Sequence, residues 1–167
     1  PKFEPAWASI AAALPSNDST ALVLGEERTK VECYVNALRL RPSNAYNWNN
    51  LGTALRSLAP GRVVSINEKR LDALGCYVQA LQLRPKYATA WYNAGQLQAE
   101  ESTHRVIEVQ GKKYRAESCY VMALTYDPNC TVAWNALGLL LRDGLMETAP
   151  PTAAANHTTT EVLVGAT

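Results

Sequence analysis

A dominant charge sign is missing from this chain. The 16 Lys and Arg nearly cancel the 15 Asp and Glu, leaving a net charge of +1 with both histidines neutral. That balance provides no basic footprint for nucleic acid and no polybasic face for an anionic bilayer. Long apolar runs are also missing, and none approaches the ~18 residues of a membrane-spanning helix. No basic stretch followed by an apolar one opens the chain, so a secretory leader is not expected. Pro1 in place of Met suggests a piece of a longer protein.

Catalytic furniture is equally sparse. His104 and His157 are far apart, and neither has a cysteine at ligand spacing, whereas a zinc site needs about four clustered ligands. There is no Gly-rich phosphate loop and no G-x-S-x-G elbow. Glu100–Glu101 reads as a solvated charge run at a helix end. An enzyme is not expected, and neither is a metal or a cofactor.

Cysteine is scarce too, and its placement opens the positive reading. Cys33, Cys76 and Cys119 stand 43 residues apart. Pro42, Pro85 and Pro128 follow the same stride, as do Trp48, Trp91 and Trp134, and Gly52, Gly95 and Gly138. Self-similarity at such a period marks a repeat array. Residues at one phase of stacked helices lie about 8–10 Å apart, too far for a disulfide, which wants Cα atoms within about 7 Å. These three cysteines are therefore expected to be small buried hydrophobes of an intracellular, cytoplasmic protein. The N-x-S/T sequons at Asn17, Asn129 and Asn156 then read as chance matches.

Each repeat contains two apolar stripes of helical period. Trp48, Leu51, Gly52 and Leu55 fall at i, i+3, i+4 and i+7 and define a first helix, A. Trp91, Ala94, Gly95 and Gln98 repeat its phase, as do Trp134, Leu137, Gly138 and Leu141. Glycine inside a helix costs about 1 kcal/mol relative to alanine, so its recurrence points to a close helix crossing. Ala73, Tyr77, Ala80 and Leu81 define a second helix, B, matched by Ala116, Tyr120, Ala123 and Leu124. In the first copy Tyr34, Ala37 and Leu38 keep the stripe, with Lys30 in place of the leading alanine. The prolines end helix B, because the residue before a proline is pushed out of helical conformation.

WNNLGTAL…ALGCYVQALQLRP and WYNAGQLQ…AESCYVMALTYDP resemble the tetratricopeptide repeat, W-x2-L-G-x2-Y followed by A-x3-F and a closing proline. The resemblance covers roughly residues 3–143. It departs from the pattern at the final tyrosine of helix A, which is Leu55, Gln98 or Leu141, and in a stride of 43 residues where the family has about 34. It implies an all-α solenoid, a right-handed superhelix of helix-turn-helix units at about 3–42, 44–85 and 87–128, with helix A of a fourth at 130–143. Residues 144–167 form a Pro/Ala/Thr-rich tail with a final strand-like segment.

The added residues also repeat. RVVSIN from Arg62 aligns with RVIEVQ from Arg105, and TALVLG from Thr20 and TEVLVG from Thr160 have the same shape. Short β-branched runs bounded by turn residues read as strands, and QG before KKYR suggests a hairpin. Such hairpins could join into one sheet running down the array. A flexible loop is an alternative, as is a helical reading in which Ser65 and Glu68 form a capping box that starts helix B early.

With no chemistry in view, surface is what remains. In tetratricopeptide proteins helix A lines a concave groove, and the resemblance implies the same here. The residues flanking the packing stripe are Asn49, Asn50, Thr53, Arg56, Tyr92, Asn93, Gln96, Asn135 and Arg142. Side-chain amides both donate and accept, so they can pair with the backbone of an extended peptide. A second family mode grips a terminal carboxylate with lysines, which these positions lack. Arg56 and Arg142 could meet acidic residues, but exposed ion pairs are worth only about 0–1 kcal/mol. The expected function is a protein–protein interaction module for a peptide partner. Alternatives are a structural spacer within a longer array and a regulatory array of a larger enzyme. The unfinished fourth unit exposes Leu140, Leu141 and Leu145, an edge expected to self-associate or to be covered by the tail.

Overall fold

The computed structural model describes residues 4–17, 19–58, 61–100 and 105–142. The expectations for Leu145, His104, His157, Asn156 and the segments at 144–167 lie outside them. Among the described residues the order is α1 (Glu4–Ala13), β1 (Thr20–Val23), β2 (Glu26–Thr29), α2 (Lys30–Leu40), α3 (Ala45–Leu58), β3 (Val64–Ile66), β4 (Lys69–Leu71), α4 (Ala73–Leu83), α5 (Ala88–Glu100), β5 (Ile107–Val109), β6 (Lys112–Tyr114), α6 (Ala116–Tyr126) and α7 (Thr131–Arg142). The architecture is an α-solenoid of helix pairs with a short β hairpin between the two helices of each pair. The pairs α1/α2, α3/α4 and α5/α6 pack most extensively, and α2/α3, α4/α5 and α6/α7 join one pair to the next.

The regular markers of the sequence have physical roles. Helix B ends the same way three times. Arg41, Arg84 and Asp127 precede the prolines at φ near −140°, and each still donates its N–H to the carbonyl four residues back. The next helix A then sends its indole to the proline carbonyl. Trp48 Nε1 donates to Pro42 O at 2.7 Å, Trp91 Nε1 to Pro85 O at 2.7 Å, and Trp134 Nε1 to Pro128 O at 2.9 Å. The proline-to-tryptophan register is thus one hydrogen bond, worth roughly 1 kcal/mol, repeated at every turn between units.

The helix A glycines mark the crossing within a unit. A Cβ on Gly52 would sit 2.7 Å from Tyr77 Cε1 and 3.0 Å from the Ala73 carbonyl oxygen. One on Gly95 would meet the Ala116 carbonyl, Cys119 Cβ and Tyr120 Cε1, each at 3.0 Å. The small residues and tyrosine of helix B therefore seat against a groove that only glycine leaves open. Cys33, Cys76 and Cys119 are free and fully buried in the same core. Burial pushes all three thiols up, away from the reactive thiolate.

The insert is a hairpin in each of the three described copies. Its two-residue turns have both φ angles positive: Leu24 and Gly25, Asn67 and Glu68, Gln110 and Gly111. Two consecutive left-handed residues are the geometry whose twist matches antiparallel strands. Ser65 lies in β3 opposite Arg70 and Glu68 lies in the turn, so the early-helix reading is corrected. The actual cap of α4 is Asp72, whose carboxylate accepts the Gly75 N–H at 2.8 Å. Thr29 caps α2 in a reciprocal box with Glu32, while Arg115 makes no side-chain cap for α6.

The continuous sheet is also corrected: the hairpins form three separate two-stranded sheets. The second and third hairpins turn their apolar faces onto helix B of the preceding unit instead of pairing with a neighbour, and the first lies against its own α2. β3 packs on α2 and β5 on α4, and Ile66, Ile107 and Val109 are buried there. At the base of the third hairpin, Arg105 Nη1 bonds Asp72 Oδ2 at 2.8 Å, tying the hairpin to the preceding helix cap. Burial alone would raise the Asp72 carboxyl. The Gly75 N–H and the Arg105 guanidinium overcome that and hold it below the ordinary carboxylate range.

Candidate functional site

α3 and α5 face each other across two polar ties, both at an offset of 44 residues. Asn93 Nδ2 donates to Asn49 Oδ1 at 2.9 Å. Arg56 Nε donates to Glu100 Oε2 at 3.0 Å, while its Nη2 bonds Glu100 Oε1. The third guanidinium nitrogen, Nη1, donates to Gln96 Oε1 at 2.8 Å. One stride brings a residue to its equivalent in the next unit, and one residue more turns it to face its neighbour. α3 and α5 therefore form a wall held together by side-chain amides and one forked ion pair.

The tyrosines of helix B floor this wall. Thr53 Oγ1 donates to the Asn49 carbonyl at 3.2 Å and lies 3.4 Å from Tyr77 Oη, which is left to donate to it. The Tyr92 ring lies 6.0 Å from the Tyr120 ring, centroid to centroid. Burial raises the Tyr77 and Tyr120 phenols, so both stay protonated donors. Burial likewise raises Tyr34, partly offset by its hydrogen bond to Asn50.

The structure places the expected wall residues unequally. Asn49 is only 4% exposed, and besides Asn93 it bonds Asn50 Oδ1 through Nδ2 at 3.4 Å. It is an inter-helix tie, not an open contact, because the A helices approach too closely to leave it in solvent. Asn50, Tyr92, Asn93 and Gln96 are half-buried and accessible, and Thr53 is exposed. Arg56 keeps a quarter of its side chain exposed beside Glu100. Asn135 and Arg142 are exposed on α7, where Val132 and Leu139 are also about half exposed.

Sequence reasoning missed three participants. Glu100, read as a solvated charge, is the partner of Arg56; adding 44 to Arg56 would have found it. Gln98 is 5% exposed and stands where the pattern has tyrosine or leucine. Its Nε2 donates to the carbonyls of Arg105 at 2.5 Å and Tyr114 at 3.2 Å, clamping both ends of the third hairpin, and its Oε1 accepts the Cys119 thiol at 3.3 Å. The third is Arg84 at the unit junction, whose guanidinium lies 5.0 Å from the ring centroid of Tyr46, itself a residue flanking the helix A stripe, and 5.7 Å from that of Tyr87.

Among the described residues no group of three or more His, Cys, Asp or Glu is placed to hold a metal ion, and no helix is long and apolar enough to cross a membrane. No protein-family model matches the sequence, and no curated protein matches it. A solved structure does resemble the fold: the first TPR of Spaghetti (RPAP3), bound to the HSP90 peptide SRMEEVD. It is 20% identical, with a TM-score of 0.50 over 70% of this chain and 79% of that one. The fold of this chain is that of a tetratricopeptide-like α-solenoid.

Proposed function

We propose that the chain is a protein-interaction module that holds an extended segment of a partner protein along the wall of α3, α5 and α7. The observation carrying this reading is the strip of accessible amide and hydroxyl groups contributed by successive A helices: Thr53 and Asn50 on α3, Asn93 and Gln96 on α5, and Asn135 on α7. Amides at successive rungs suit a ligand whose own backbone repeats donors and acceptors. The Asn49–Asn93 tie supports it by holding the strip rigid, which lowers the entropy lost on binding. The peptide held by the structurally similar TPR domain supports the general mode.

In this reading the units run at about 3–42, 44–85 and 87–128, with helix A of a fourth at 130–143 and a tail at 144–167. The chain is then a tetratricopeptide variant whose added residues form the hairpins. It carries no catalytic role and works in the cytoplasm, where the buried free thiols stay reduced. Substituting Asn50, Asn93 and Asn135 together by alanine should weaken a display-selected peptide at least about tenfold, or 1.4 kcal/mol. Unchanged affinity with an unchanged melting curve contradicts the groove.

One observation favours a spacer as second reading: Asn49 and Arg56 are already spent on ties within the wall. A spacer retains no peptide in display selection, and it gains stability but no ligand when extended by whole units.

A further inference from the structure

The stride repeats neither polar tie of the wall, and the Arg56–Glu100 pair is the charged one. The positions equivalent to Arg56 are Ala99 and Arg142, and the position in α3 equivalent to Glu100 is Ser57. The pair therefore does not belong to the stacking of units as such. It bridges the C-terminal ends of α3 and α5, beside the tyrosines Tyr77 and Tyr120 of the floor.

Its geometry is that of ligand recognition turned inward. A guanidinium presents a planar fork that fits a carboxylate through two parallel N–H···O bonds. Glu100 takes one edge of that fork with both oxygens, and Gln96 takes the remaining nitrogen. Glu100 itself is about half exposed, at 47%, one helical turn past the accessible amide of Gln96. A ligand carboxylate at this point meets a fork whose Nε–Nη2 edge is already taken and a like charge beside it.

We propose that Glu100 is the specificity-determining residue of the groove: by occupying Arg56 it selects a partner segment that is uncharged where it crosses α3 and α5, and it turns away segments that present a carboxylate there. This deepens the groove reading and rests on it. The exposed apolar side chains of Val132 and Leu139 on α7 agree with an uncharged occupant.

The test is a titration of the wild-type chain and the Glu100→Gln variant with two probes, read from backbone and side-chain amide chemical shifts. One probe is N-acetyl-SQMEEVD with a free terminal carboxylate; the other is N-acetyl-SQMQQVN amide, of the same length without charge. Glu100→Gln should tighten the acidic probe at least about fivefold, an increment in keeping with freeing a bidentate arginine–carboxylate pairing. It should leave the neutral probe within twofold. The gain should shrink in high salt, because the groups are partly exposed. Equal affinity of both proteins for the acidic probe overturns the proposal, as does a gain that also appears with the neutral probe. If the neutral probe shifts the wall amides and the acidic one gains nothing, the groove stands and the role of Glu100 falls. If neither probe shifts the wall, both fall together.

Discussion

α5 and α7 carry nearly the same sequence pattern, yet they live in different surroundings. α5 lies between α4 and α6; Trp91 is 1% exposed and Gly95 is pressed against Tyr120. α7 packs on α6, but among the described residues nothing comes within 4 Å of a Cβ placed on Gly138, and Trp134 is only partly buried. Both indoles still reach their proline carbonyl. The Pro–Trp hydrogen bond is thus kept whether or not a described helix B presses on the glycine, so one motif encodes two separable contacts.

The largest expected effect uses the two tryptophans. Trp91→Ala should destabilise the chain by about 3–5 kcal/mol in urea unfolding, and Trp134→Ala by less than half of that. Equal losses would mean that α7 is as enclosed as α5. The glycines sharpen the contrast, since the sign should reverse. Gly95→Ala forces a methyl into 3.0 Å contacts that include backbone and should cost about 1–3 kcal/mol. Gly138→Ala enters open space and should stabilise by about 0.5–1 kcal/mol. A destabilising Gly138→Ala would indicate that something covers α7, and sedimentation at rising concentration would then show whether a second copy is responsible.

A third comparison sets the hairpin bases against each other. Because the Asp72 carboxyl is held below its unfolded value, it contributes stability above about pH 4, near the unfolded carboxylate value, and that contribution is lost as pH falls through the folded value. Asp72→Asn should cost about 1 kcal/mol at neutral pH, and its deficit should close in acid. The smallest effect belongs to the turns. Glu68 adopts φ 69° where the other two hairpins have glycine, so Glu68→Gly should stabilise by up to about 1 kcal/mol in thermal melts.

The stride of Pro42, Trp48 and Gly52 made the helix pairs legible, because one residue type at one phase marks one contact. The hairpins were legible from RVVSIN and RVIEVQ, although not their packing. The joined sheet failed because an apolar strand face buries more on a neighbouring helix than a strand edge gains from a distant hairpin. The wall was half legible. Amides such as Asn93 stand out by type, but whether Asn49 is open or sealed depends on how closely α3 and α5 approach, which spacing does not encode. Glu100 escaped because its partner Arg56 lies in another unit, and Gln98 because its partners are hairpin carbonyls and a thiol of its own unit; neither repeats.

The account stands on the A helices forming one working wall. The most direct measurement is an amide chemical-shift map during titration with a neutral extended peptide. Shifts concentrated on Asn50, Asn93, Gln96 and Asn135, with β3–β6 unmoved, are the predicted result. Shifts confined to the hairpins, with those side-chain amides silent, would contradict it.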